Sequence, residues 1–282
     1  MSFDPARLRG WRVPDVAQQL SRRDAALYAI STGYGADPMA ADELAFVDPA
    51  ADAMVASPTM ALVLGYPGFW IADPALGVDA AKVLHVDQSI VLDEPLPVEG
   101  AIVGRTGDLR LIDRGEGRGA LLGSTRTILH AGRRIALLTQ TLLLRSEGGF
   151  ADAAGPLPQR RRVPAGEADL VLPFDLPAGA ALLYRLNGDL NPVHADPAVA
   201  RRGGFARPIM HGMGTFGFAC RLIVRHACGG DPARLNGIGM RFAAPVYPGG
   251  SLLLRLWRAG AFQIARADGA VVGDDGWFSE RA

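Results

Sequence analysis

Apolar and polar residues alternate with a period near two in eight stretches of the chain, and these stretches fall into two groups of four. Residues 82–92, 100–113, 119–130 and 134–145 make the first group, and 236–243, 251–258, 260–267 and 270–278 the second. They are rich in Val, Ile, Leu and Thr, as half-buried strands are. One apolar segment precedes each group and predicts a helix, over roughly 57–65 in the first and 210–228 in the second. In the latter, Phe216, Cys220 and Ile223 fall near helical spacing. The turn after the first strand is similar in both groups, Glu94-Pro95-Leu96-Pro97-Val98-Glu99-Gly100 against Ala244-Pro245-Val246-Tyr247-Pro248-Gly249. The repeated order predicts an internal duplication of an α+β unit, each a curved antiparallel sheet around one helix.

Between Ser146 and Pro164 the pattern lapses. Gly148, Gly149, Gly155, Pro156, Pro158 and Pro164 surround Arg160, Arg161 and Arg162, which reads as a linker. The expected division is therefore 1–147, a linker over 148–165, and 166–282. The arginine run either meets phosphate groups of a ligand or is simply solvated.

Composition narrows the partners. The 282 residues are 49% hydrophobic, enough for a substantial core, and 29 basic residues balance 29 acidic ones. A balanced charge gives no field that would draw the molecule to nucleic acid or an anionic membrane, so a small-molecule partner is expected. No apolar run reaches the ~18 residues of a membrane span, and Met1 to Trp11 contains no stretch of signal-peptide character, which predicts a cytoplasmic protein. Cys220 and Cys228 are the only cysteines and are expected as free thiols, too few for a zinc site. Lys82 is the only lysine, which argues against Schiff-base chemistry.

The densest run of polar groups is Tyr184-Arg185-Leu186-Asn187-Gly188-Asp189-Leu190-Asn191-Pro192-Val193-His194-Ala195-Asp196-Pro197. On a regular helix, five residues separate Asp189 from His194 by about 140°, so the two converge only if the backbone turns between them. Asn191-Pro192 supplies such a turn, an N-cap followed by proline at the first helical position. A carboxylate and an imidazole brought together can hold one water and move its protons, as hydration requires. The alternative on spacing alone is a capped loop whose Asp and His merely satisfy backbone groups. Other motifs lack support: Gly212-Met213-Gly214-Thr215-Phe216-Gly217 matches a dinucleotide-binding fingerprint, but the segment before it is short and broken by Pro208. No Gly-x-Ser-x-Gly or His-Glu-x-x-His occurs.

The run from Tyr184 to Pro197 resembles the signature of the MaoC-like (R)-specific enoyl-CoA hydratases, the hydratase 2 family. Pro208-Ile209-Met210-His211-Gly212-Met213-Gly214-Thr215-Phe216-Gly217-Phe218 resembles that family's central helix. The similarity continues through Arg241 to Gly249 and, in the first half, through Arg23-Asp24 to Gly35, Pro58-Thr59 and Leu84-His85-Val86-Asp87-Gln88, and is greatest to the two-domain eukaryotic type. The resemblance implies an α+β double hot-dog fold and catalytic roles for Asp189 and His194, with Asn191 holding the site in shape. It further implies substrate contacts at His85, Val86, Arg114, Leu190, Pro192, Val193, His211, Gly212 and Phe242, the Gly212 N–H facing the thioester carbonyl. Val86 departs from the family, which usually has glycine there. Tyr28, Gly33, Asp37 and Pro38 echo Tyr184, Gly188, Asp189 and Pro192 without a following histidine, so the first half is expected to bind the acyl chain and the second to catalyse. The implied partner is an acyl-CoA, with no metal or other cofactor, and a homodimer is expected. A hot-dog thioesterase and a non-catalytic acyl-CoA binding protein are the competing readings.

Overall fold

The computed structural model describes residues 2–150 and 160–281; Gly155, Pro156 and Pro158 of the expected linker lie outside them. In chain order the first half contains α1 (Pro5–Arg9), β1 (Val16–Leu20), α2 (Arg22–Ser31), the single turn α3 (Leu44–Val47), and then β2 (Val83–Leu92), β3 (Gly100–Asp113), β4 (Ala120–His130) and β5 (Arg133–Leu144). The second half contains β6 (Leu170–Asp175), α4 (Ala180–Tyr184), α5 (Pro197–Arg202), α6 (Gly212–His226), β7 (Leu235–Phe242), β8 (Ser251–Trp257), β9 (Ala261–Arg266) and β10 (Val271–Glu280). All eight predicted strands are present, with bounds within two residues of those expected.

The strands form one ten-stranded antiparallel sheet in the order β1-β3-β4-β5-β2-β7-β10-β9-β8-β6. Read from its two ends this order is symmetric: a short strand at each edge, three hairpin-connected strands, and the first long strand of each half at the centre. The halves meet where β2 pairs with β7, with Ile90 opposite Ile238. The predicted duplication is thus a double hot-dog whose two sheets share a seam. Each edge strand leads into a helix closed by a left-handed glycine, Gly33 after α2 and Gly188 at the end of the turn that follows α4. Tyr28 and Tyr184, on those two helices, meet edge-on with ring centres 6.0 Å apart, fully buried between the halves. The first-half echo of the signature therefore occupies an equivalent place in the fold, although Asp37 is solvent-exposed.

The central helix of the second half is as expected. Phe216, Cys220 and Ile223 of α6 are completely buried in a core shared by both halves. An ion pair fixes the helix to the first half: Arg221 donates through Nε and Nη2 to the buried Glu43 at 2.6 and 3.0 Å. The predicted first-half helix over 57–65 is corrected to a short 3-10 segment, Pro58–Leu62. Beyond it Gly65 turns left-handed and lies against the backbone of β3, where a Cβ would come within 2.4 Å of the Gly104 nitrogen. A continued helix would hold the chain too far from β3 for that contact.

The arginine run is solvent-exposed, as expected of a solvated segment, and at its start it is also anchored. Arg160 donates to Asp275 at 2.6 Å, and the Arg161 guanidinium stacks over Trp277 at 4.1 Å, so both residues attach the chain to β10.

Candidate active site

A cavity of about 640 Å³ lies between the halves, and Asp189, Asn191, His194, His211 and Gly212 form one region of its wall. Local turn chemistry places each of them. Asn191 caps the 3-10 turn Pro192–His194 by accepting from the Val193 N–H at 3.2 Å, while Asp189 Oδ1 accepts from the Asn191 N–H at 3.2 Å. The turn predicted from Asn-Pro is what brings the Asp189 and His194 side chains together. A carboxylate oxygen of Asp189 and one ring nitrogen each of His194 and His211 all lie within 4.8 Å of one another.

Hydrogen bonding fixes the protons. The His194 Nδ1 is 2.9 Å from the carbonyl oxygen of Ile209, which only accepts, so Nδ1 carries the hydrogen and Nε2 of the neutral ring is left as an acceptor. The His194 pKa is lowered, chiefly by burial and secondarily by Arg185, against opposing contributions from the Ile209 carbonyl and Asp189. His211 donates from Nε2 to the backbone carbonyl of Asp189 at 3.3 Å, and its Nδ1 is buried without a partner. Burial, and then the neighbouring His194, push its pKa down to about 2. The two imidazoles stack, with centres 3.7 Å apart and planes 26° from parallel. Stacked rings send their in-plane lone pairs along near-parallel planes, whereas a shared metal ion needs them to converge, so the trio suits proton handling better than metal ligation.

Gly212 opens α6, and its N–H belongs to the first turn, where helix geometry supplies no partner within the helix. The glycines of the apparent dinucleotide fingerprint serve packing. A Cβ at Gly212 would meet the Phe242 ring at 2.9 Å, one at Gly214 would meet Met210 at 2.3 Å, and one at Gly217 would meet Thr32 at 2.3 Å.

Of the remaining sequence-derived residues, His85, Val193 and Phe242 line the cavity, with the rings of His85 and Phe242 centred 4.8 Å apart. Burial lowers the His85 pKa to about 4. Four others are not brought to the cavity wall. Arg114 sits in the β3–β4 turn and donates to the Arg118 carbonyl at 3.1 Å; Val86 is the extra residue of a bulge between His85 and Asp87; Leu190 is 63% exposed, and Pro192 is exposed. The bulge is the reason for Val86: an inserted residue leaves the alternation that directs His85 and Gln88 inward. Residues the sequence did not single out also line the wall, among them Tyr66, Arg126, Arg145 and Arg202.

Fold and site together define a double hot-dog protein with an acid-base cluster at an inter-half cavity. A family model described as MaoC like domain matches residues 163–275, and one described as MFE-2 hydratase 2 N-terminal domain matches residues 19–146. A 3-hydroxyacyl-thioester dehydratase Y of Mycobacterium tuberculosis is 34% identical, over 98% of each chain. A probable enoyl-CoA hydratase 2 of Dictyostelium discoideum is 32% identical, over 92% of this chain and 88% of that protein. The crystal structure of a MaoC-like dehydratase from Phytophthora capsici superposes with a TM-score of 0.85 at 27% identity, covering 99% of this chain and 98% of that one. The chain belongs to the MaoC-like dehydratase and hydratase 2 family of hydro-lyases.

Proposed function

We propose that this protein reversibly adds water to a trans-2-enoyl-CoA to give the (3R)-3-hydroxyacyl-CoA, with Asp189 and His194 handling the protons. The observation that carries the reading is the convergence of those two side chains on the cavity wall beside the open N–H of Gly212. A water between the carboxylate and the bare His194 Nε2 is polarised by two acceptors. Its oxygen attacks Cβ, the displaced π electrons move onto the thioester oxygen as an enolate, and the pair takes the water proton. The enolate then collapses, and one proton passes from the pair to Cα, so that H and OH add across the double bond and the enzyme is unchanged. The Gly212 N–H, at the positive end of α6, stabilises the enolate oxygen. His211 holds the Asp189 backbone and shields the cluster from bulk water.

In this reading the second half, 166–282, carries catalysis, and the first, 1–147, shapes the acyl pocket. Arg145 and Arg202, both exposed on the cavity wall, suit the phosphates of coenzyme A better than Arg160 to Arg162 do. Incubation with crotonyl-CoA tests the proposal: loss of enoyl absorbance without release of free thiol, and a product of R configuration by chiral analysis, are expected. Thiol release would identify a thioesterase, no change a binding protein, and mainly S product a different stereochemical course.

A further inference from the structure

The first half of the cavity has an unexpected lining. On the inner face of its sheet apolar residues alternate inward, as Ala120, Leu122 and Ile128 do on β4, yet Ser124 and Arg126 occupy inward positions of the same series. The register extends this polarity across the sheet. Gln88 on β2 stands opposite Gln140 on β5, which stands opposite Ser124 on β4 and donates to its hydroxyl at 3.0 Å. One step along, Arg126 stands opposite Thr106 on β3. All five residues line the cavity.

Arg126 is the unusual member. It is 9% exposed, and among the described residues its partners are backbone carbonyls and tyrosines, with no carboxylate. Its Nη2 donates to the Leu62 carbonyl at 2.5 Å and approaches that of Ala61 at 3.4 Å, and its guanidinium lies 5.2 Å from the centre of the Tyr66 ring. Those contacts engage one nitrogen of a group with five N–H donors. A guanidinium buried without a counter-ion is costly, and burial lowers its pKa to about 10. A pocket for a plain hydrocarbon chain gains nothing from such a group, whereas a carboxylate brought in by the ligand would complete an ion pair beside the hydroxyls of Thr106 and Ser124, the Gln88 and Gln140 amides holding the polar row in place through the Ser89 and Thr139 carbonyls and the Ser124 hydroxyl.

We propose that the belt of Gln88, Thr106, Ser124, Arg126 and Gln140 is a subsite for a carboxylate at the remote end of the acyl group, so that the preferred substrates are ω-carboxy-enoyl-CoAs rather than methyl-ended chains. The proposal rests on the hydratase reading and adds the substrate class. The shape agrees: the belt and the Asp189–His194 cluster line one cavity, and Tyr66 stands where it feels both the Asp189 and the Arg126 charges.

Two measurements on the full-length protein test it. The first compares kcat/KM of the wild type for ω-carboxy and methyl-ended 2-enoyl-CoAs of equal length, over six to ten acyl carbons. At the best-fitting length the carboxylated substrate is expected to exceed its partner at least ~10-fold, about 1.4 kcal/mol, and Arg126→Met is expected to abolish or invert that ratio. The second reads binding without turnover: calorimetry of saturated ω-carboxyacyl-CoA against the matching acyl-CoA, where tighter binding of the carboxylated ligand is expected at one length or more. Methyl-ended chains preferred at every length by the wild type would overturn the subsite, as would an unchanged ratio in a folded Arg126→Met. Failure to hydrate crotonyl-CoA or any longer enoyl-CoA would instead refute the hydratase reading, and the calorimetric comparison would still decide the subsite.

Discussion

Substituting Gly212 by alanine separates a packing role from a catalytic one. The new Cβ would lie 2.9 Å from two carbons of the Phe242 ring, about an ångström inside ordinary contact, and Phe242 already packs against His85 with ring centres 4.8 Å apart. The ring and the first turn of α6 must separate by up to about an ångström to restore ordinary contact. Overpacking of this kind costs about 1–3 kcal/mol, of which the better helix propensity of alanine returns up to ~1 kcal/mol, so the net loss of stability is about 0–3 kcal/mol. Catalysis is more sensitive, because a donor shifted by about an ångström from a developing oxyanion loses of order 100-fold in rate. The assay pairs kcat for crotonyl-CoA with urea unfolding, and the expected result is a drop of ~100-fold in kcat in a protein that still unfolds cooperatively. A folded variant with near-normal kcat would show that the Gly212 N–H does not face the reacting carbonyl.

Glu43→Ala should destabilise the protein by about 3–5 kcal/mol in urea unfolding, because it leaves the Arg221 guanidinium buried and unpaired; a loss under ~1 kcal/mol would show that water replaces the carboxylate there. Stability should fall as pH drops from about 6.5 toward 4. His85, held near 4 by burial, protonates later in the folded than in the unfolded chain, so its contribution is complete above 6.5 and declines below, by about 3 kcal/mol in all. His85→Gln should reduce that slope, with His194 and His211 supplying the remainder through their own lowered pKa values, and an equal slope in the variant would remove His85 from the account.

The strands were legible because their alternation is strong, and the two that escaped notice explain themselves. β1 reads Val-Ala-Gln-Gln-Leu with little β-branched character, and β6 contains Pro173, which a strand tolerates at a sheet edge; both are the edges of the ten-stranded sheet. The apolar run at 57–65 suggested a helix because periodicity cannot register the close approach of Gly65 to Gly104. Asp189 and His194 were legible through the Asn191-Pro192 turn, and the observed cap confirms that local signal. Arg114 was placed only by resemblance, and its turn geometry keeps it from the cavity. Arg126 was invisible for a different reason: a single arginine in an alternating strand reads as an outward residue until the register with Gln140 and Gln88 shows that the polar positions share an inner row.

The most direct test of the central claim is the turnover of Asp189→Asn and His194→Ala with crotonyl-CoA, each checked for an intact fold by circular dichroism and unfolding midpoint. Removing either member of a working acid-base pair should lower kcat by at least ~100-fold, and the double variant should lose little more than the worse single one, because the two act as a unit. Near-normal turnover in either folded single variant would contradict the assignment of catalysis to this pair.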